Sequence, residues 1–331
     1  MKLLVLGASG FVGSNTLGPL ADLGCQLYAV QRRIHLRPED LKNEVRWVGQ
    51  AELLSGSPEI IPDAILSLAG VGEPAAFEKD PDGALAGELA IADSLAALVC
   101  KFRVPRVIYL SSGGAVYGEG WNDGEFRAFQ EDEICHPIST YGKCKLAGEE
   151  RLVQQLEAAG LLDSLAILRA SNVYGLNYAK SGRQGLINAL IERSLDGRPV
   201  TVYGDGLVYR DYLFADDLAI AIRRVLQTST PGIFNIAAGR SHSILEVIEC
   251  VERTIGSRLE RRFEPPRGID IRYSALSVHK AASVLGWQSS ISLETGISLI
   301  VQRKTEDLRN AVVDGNRCKL PADLPESANV K

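Results

Sequence analysis

Short apolar runs alternate with helical stretches through the first half of the chain: KLLVLG (2–7), QLYAV (26–30), AILSLAG (64–70), RVIYLSS (106–112) and LAILRAS (165–171). Strands that are apolar along their whole length have both faces covered, which is the condition of a parallel sheet rather than of a hairpin. The helices between them are clearest in GALAGELAIADSLAALVCKF (83–102) and YGKCKLAGEERLVQQLEAAG (141–160). With right-handed crossovers this pattern leads to an α/β fold built on a doubly wound parallel sheet. After about residue 172 the alternation loosens. RQGLINALIERSLDG (183–197) and ILEVIECVERTIG (244–256) read as helices, PVTVYGDG (199–206) as a strand and turn, and GIFNIAAG (232–239) as a strand returning to the sheet.

Composition narrows the function classes. The net charge of −5 argues against a general nucleic-acid-binding surface, which needs a basic excess. No apolar run approaches the roughly 18 residues of a membrane span, so no membrane partner is expected. The start MKLLVLGASG reaches Gly7 after only a short apolar run and reads as a first strand rather than a signal peptide. Six cysteines without a C-x-x-C pair read as reduced thiols, hence a cytoplasmic protein. The four histidines are scattered, and no metal site is expected.

Gly7-Ala8-Ser9-Gly10-Phe11-Val12-Gly13 has the spacing G-x-x-G-x-x-G directly behind the first strand and at the start of a helix. The first glycine permits the tight turn, the second admits a pyrophosphate close to the backbone, and the third lets helix and strand pack closely. The helix N-terminus then offers free N–H groups and positive dipole to the phosphates. Such spacing arises readily by chance; its position between strand and helix gives it meaning. Gly7, Ser9, Gly10, Phe11, Val12 and Gly13 are therefore expected to hold a dinucleotide, NAD(P). Where an acid often accepts from an NAD ribose, the second strand ends in Gln31-Arg32-Arg33. Guanidinium groups suit a 2′-phosphate, so NADP is favoured and NAD stays open. The expected organisation is a Rossmann domain over 1–172 with returns near 208–240. An interleaved substrate lobe occupies 173–310, and a frayed polar tail 311–331.

Tyr141 and Lys145 stand four apart, on one helix face. A phenol is a poor base at neutral pH. An ammonium ~4 Å away stabilises the phenolate by up to about 4 kcal/mol at an effective dielectric of 20. Tyr141 is then able to take or return a hydroxyl proton while hydride moves to or from a nicotinamide.

Further stretches carry a resemblance. LSSGGAVYG, the Tyr141/Lys145 pair, LRASNVYG, VYGDGLVYRDYLFADDLA (202–219) and RGIDIRYSALSVHKAASVLGW (267–287) together resemble the extended short-chain dehydrogenases/reductases. Within them the likeness is to the sugar-nucleotide epimerase/dehydratase group that includes UDP-glucose 4-epimerase, over roughly residues 1–300. The resemblance implies a nucleotide-sugar substrate whose diphosphate meets Asn172, Arg210 and Arg267. It implies a cofactor site completed by Leu68, Ala69, Gly70 and Ser111, and a homodimer through the 83–102 and 141–160 helices. Where the group places a catalytic Ser or Thr, this chain has Gly113, so Ser112 is the nearest substitute hydroxyl. Gly113-Gly114-Ala115 replaces the Thr-Asp-Glu of the 4,6-dehydratases, which disfavours dehydration. Gln50 and Glu88 also depart from the group, whose usual residues there are Asp and Asn. The implied activity is an NDP-sugar 4-epimerase, on a UDP-hexose, working through a transient 4-keto sugar. The alternatives are an NADPH-dependent reductase of an NDP-4-keto-6-deoxy sugar and, in another class, a non-catalytic sugar-nucleotide or NADP sensor.

Overall fold

A computed structural model describes residues 1–31, 45–55, 60–72, 74–122, 125–176, 185–266 and 271–313. Seven strands form one wholly parallel sheet, in the spatial order Gly232–Ile236, Leu165–Ala170, Val107–Ser112, Ala64–Ser67, Lys2–Leu6, Gln26–Gln31, Val45–Gly49. The chain enters at Lys2–Leu6 and steps outward twice on one side. It then returns to pair Ala64–Ser67 on the other side and steps outward again. The winding reverses between Lys2–Leu6 and Ala64–Ser67, where Leu6 lies opposite both Val30 and Ser67. At such a switch point the connections part above the carboxyl ends of the strands and leave a crevice for a ligand.

The strand Val45–Gly49 was absent from the sequence expectation. It is five residues at the sheet edge, with Val45 buried and Arg46 exposed, so it lacks the continuous apolar run of the interior strands. The expected strand 64–70 stops at Ser67, and Leu68-Ala69-Gly70 become the loop beside the glycine turn.

Strand alternation supplies both faces of the sheet. Leu3 and Val5 pack with Leu17 and Leu20 of the helix Phe11–Asp22 and with Leu218 and Ile222 of the helix Ala215–Thr228. Leu4 and Leu6 pack with Leu95 and Val99 of Pro81–Phe102 and with Leu152 and Leu156 of Thr140–Ala158. Each such fully buried leucine stabilises the fold by about 1.5–3 kcal/mol.

The helix Pro81–Phe102 starts where Asp80 accepts from the Gly83 N–H, with Pro81 in the first turn, and ends at Arg103 in the left-handed region. By length and composition alone it is long and apolar enough to cross a membrane, with a window of mean hydropathy 1.6. The sequence expectation allowed no such segment. Here Ala92, Leu95, Leu98 and Val99 lie in the core under the sheet.

A separate apolar cluster holds the remaining elements. Ile187, Leu190 and Ile191 of Leu186–Leu195 meet Val247, Ile248 and Val251 of Ile244–Ile255 and Ile297 and Ile300 of Leu293–Val313. Strand Tyr209–Phe214 binds this cluster to the main sheet's carboxyl end, because it pairs with Asn172–Tyr174, two residues beyond Leu165–Ala170. The tail expected from residue 311 begins inside a helix that runs to Val313; 314–331 lie outside the described residues. Among the described residues Cys25, Cys100, Cys135, Cys144 and Cys250 are free.

Candidate active site

The glycine loop stands at the switch point. Gly7 has φ +80°, and a Cβ there would lie 2.5 Å from the Ala69 nitrogen. A Cβ on Gly13 would lie 2.5 Å from the Ala8 carbonyl oxygen and 2.6 Å from that of Gly7. Only hydrogen fits at either place, so the helix Phe11–Asp22 starts hard against the end of the first strand. Gly10 caps this helix without a side-chain bond, and its first turn contains no acid. Ser9 and Gly10 are exposed, and Phe11 and Val12 half-buried, around that open N-terminus. These are the features a pyrophosphate needs, and the residues fit a dinucleotide. Leu68, Ala69 and Gly70 border the loop, with the Leu68 N–H bonded to the Leu6 carbonyl. Gln31 closes its strand opposite Gly49. Arg32 and Arg33 lie outside the described residues.

On the other side of the crevice, Val107–Ser112 runs into the single helical turn Gly113–Val116. A Cβ on Gly113 would lie 2.5 Å from Leu276 Cδ1 and 2.9 Å from the Arg169 carbonyl; one on Gly114 would lie 2.9 Å from Asn172 Oδ1. The two glycines thus let this turn sit directly on the Leu165–Ala170 strand end. Gly142 repeats the device, since its Cβ would stand 2.4 Å from the Ala115 carbonyl. The helix Thr140–Ala158 can therefore dock on the turn. Its Ser139 cap accepts from the Gly142 N–H at 3.1 Å, and Glu78 accepts from the Thr140 N–H and hydroxyl. Tyr141, half-buried, meets the Phe77 ring edge-on at 5.0 Å.

One helical turn further on, Lys145 is 4% exposed. Its Nζ donates to the Leu110 carbonyl at 3.3 Å, to the Tyr109 hydroxyl at 3.3 Å and to Glu88 Oε2 at 3.4 Å. Burial works against the Lys145 ammonium, but Tyr109, Glu88 and Tyr141 beside it outweigh that and hold its pKa above the ordinary lysine value. Burial pushes the Tyr109 phenol up to about 12, with Lys145 opposing.

Ser111 and Ser112 face different surroundings. Ser111 is buried and donates its hydroxyl to Glu149, which also takes the Arg169 guanidinium at 2.7 Å. Ser112 is half-buried and caps the Gly113 turn without a side-chain bond. Asn172 pairs with Tyr212, and Arg210 lies two residues before Tyr212 on the same strand. The Arg210 Nη1 donates to the carbonyls of Tyr209 (2.8 Å) and Ile271 (2.7 Å). Arg267 lies outside the described residues. The structure thus gathers the glycine loop, Leu68–Gly70, Ser112, Tyr141 and Lys145 about the carboxyl ends of adjacent strands, with Asn172 against the Gly114 turn. Glu88, Glu149 and Arg169 are buried polar participants that no sequence pattern singled out as a group.

A dinucleotide cradle at a switch point, with a tyrosine and a buried lysine at the next strand end, defines a nicotinamide-nucleotide-dependent enzyme of the Rossmann class. The NAD dependent epimerase/dehydratase family matches residues 3–237, and the chain belongs to that family. It is 33% identical over 201 residues to a putative UDP-glucose 4-epimerase of Methanocaldococcus jannaschii, covering 61% of this chain and 63% of that protein's length. It is 30% identical over 312 residues to the UDP-glucose 4-epimerase of Mycolicibacterium smegmatis, covering 91% of this chain and 98% of that one. Among solved structures, the Thermotoga maritima UDP-glucose 4-epimerase with UDP-glucose superposes with a TM-score of 0.84 at 29% identity. That match covers 93% of this chain and all of the other. The Thermus thermophilus UDP-glucose 4-epimerase complexed with NAD gives 0.82 at 29%, covering 92% and 98%.

Proposed function

We propose that the chain is an NDP-sugar 4-epimerase acting on a UDP-hexose. The observation that carries this reading is the Tyr141–Lys145 pair seated at the end of Val107–Ser112, across the crevice from the glycine cradle. Tyr141 is the group that takes the proton from the sugar hydroxyl and later returns it. Lys145, charged and held by three acceptors, stabilises the phenolate form. Gly7, Gly10 and Gly13 with the Phe11–Asp22 N-terminus hold the cofactor's pyrophosphate, beside Leu68–Gly70. The bound nicotinamide supplies reversible hydride storage. Asn172, Arg210 and Arg267 are assigned to the sugar nucleotide's diphosphate, for which guanidinium groups are the natural partners. Ser112 is assigned as the substitute hydroxyl beside Gly113, where no side chain fits without displacing Leu276 or the Arg169 carbonyl.

The test is a product assay. Purified protein with UDP-glucose or UDP-N-acetylglucosamine should yield the corresponding C4 epimer. Stoichiometric NADPH oxidation on an NDP-4-keto-6-deoxy sugar, with no epimer formed from either UDP-sugar, would establish the reductase reading instead.

A further inference from the structure

Beside Lys145 lies a buried charge that the proposed chemistry does not require. Glu88, on the helix Pro81–Phe102, is 0% exposed. Its Oε1 accepts from the Val71 N–H at 3.1 Å, and its Oε2 stands 3.4 Å from Lys145 Nζ. A buried carboxylate held at both oxygens is fixed in place, and its only cation among the described contacts is the lysine assigned to Tyr141. Opposite charges at that separation interact strongly away from water, so the field Lys145 projects onto its neighbours is reduced by its own counter-ion.

We propose that Glu88 is a positioning residue that pins the Lys145 ammonium and partly cancels its charge, setting how readily Tyr141 gives up its proton. This rests on the reading of Tyr141 and Lys145 as the proton-handling pair. The other groups facing them do not duplicate the effect. From its own helix Lys145 has Tyr141 beside it, and the charge of Glu149, one turn on, is taken by Arg169. The strand Val107–Ser112 presents Tyr109, a phenol raised by burial. The helix Pro74–Lys79 presents Glu78, bonded to Thr140 at the helix start. Cys144, adjacent to Lys145, is a thiol pushed up by burial. Glu88 is thus the carboxylate bonded directly to the ammonium.

Removing the Glu88 charge while keeping its shape leaves a buried ammonium that needs a new counter-ion, and a phenolate is at hand. In Glu88→Gln, Tyr141 should ionise at lower pH than in the parent, the direction expected when a neighbouring negative charge is removed. Glu88→Asp keeps the charge but withdraws it by one methylene, and should fall between the two.

The experiment is an ultraviolet phenolate titration of the purified protein, with Tyr141→Phe in each background to isolate the Tyr141 signal and Tyr109→Phe to exclude its neighbour. The inference predicts the order parent, Asp, Gln from highest to lowest midpoint. A midpoint that stays put or rises in Glu88→Gln overturns it. Should the Gln variant not fold, the Asp variant alone decides by the same sign. The rising limb of the activity profile should move to lower pH in step with the titration. If the titration moves but no UDP-sugar is epimerised, the proposed function has failed while this inference stands.

Discussion

At the residue scale the site is a set of side chains placed by what cannot fit beside them. Hydrogen alone at Gly142 lets the Thr140–Ala158 helix reach the Ala115 carbonyl and so present Tyr141 and Lys145 together. Tyr141→Phe should keep the fold and cofactor binding yet lose about 10²–10⁴ in turnover, the usual range for a general acid–base group. Ser112→Ala should lose much less, since that hydroxyl is offset from the position Gly113 occupies; turnover of the two variants under saturating substrate checks both. The Tyr141/Lys145 pair was legible because helical spacing alone puts them on one face. The lysine's partners were not. Glu88, Tyr109 and the Leu110 carbonyl come from a helix and a strand far away in sequence, and only the packed sheet brings them within hydrogen-bond reach. The Ser111 hydroxyl is likewise directed to Glu149, a partner on a distant helix that no local pattern reveals.

Among elements, the loop-to-helix turn at Gly7–Gly13 and the five interior strands were plain in the sequence, since their signals are local. The edge strand Val45–Gly49 was not, because an edge position lets Arg46 face solvent and breaks the apolar run. Gly13→Ala should weaken dinucleotide binding tenfold or more and destabilise the fold by about 1–3 kcal/mol. Its Cβ meets backbone carbonyls, which cannot step aside as a side chain can. Calorimetric titration with cofactor and a melting curve report the two effects separately. The Glu149–Arg169 pair joins the helix Thr140–Ala158 to the strand Leu165–Ala170, with both side chains about 5% exposed or less. Arg169→Met leaves Glu149 charged and buried, and should cost about 3–5 kcal/mol in chemical denaturation. The double change with Glu149→Gln should recover part of that loss.

Across the whole molecule, Asp211 ties the second cluster of elements to the main sheet. It is 2% exposed, accepts from the Ser171 hydroxyl at 2.9 Å, and accepts from the Ala238 and Gly239 N–H groups at 2.8 Å. Burial raises its pKa to about 6 despite those donors. A folded-state value above the unfolded one means that its protonation contributes stability below about pH 4, and that this contribution is lost as the pH rises through about 6. Melting temperatures from pH 4 to 7 should carry that slope in the parent and lose it in Asp211→Asn. Binding should favour NADP(H) over NAD(H) through Arg32 and Arg33. Replacing both with alanine should remove a preference of about tenfold or more, the worth of one charge-assisted contact. Equal binding of the two cofactors by the parent would contradict that assignment. The fate of one hydrogen distinguishes an epimerase, which must lift it from the sugar and return the same atom to the other face. The direct measurement uses a UDP-hexose deuterated at C4, with the C4 epimer analysed by mass and by proton NMR. The epimer should retain its deuterium at C4 in ordinary water, with no net change in nicotinamide absorbance. Deuterium lost to solvent, or NADPH consumed in proportion to product, would contradict it.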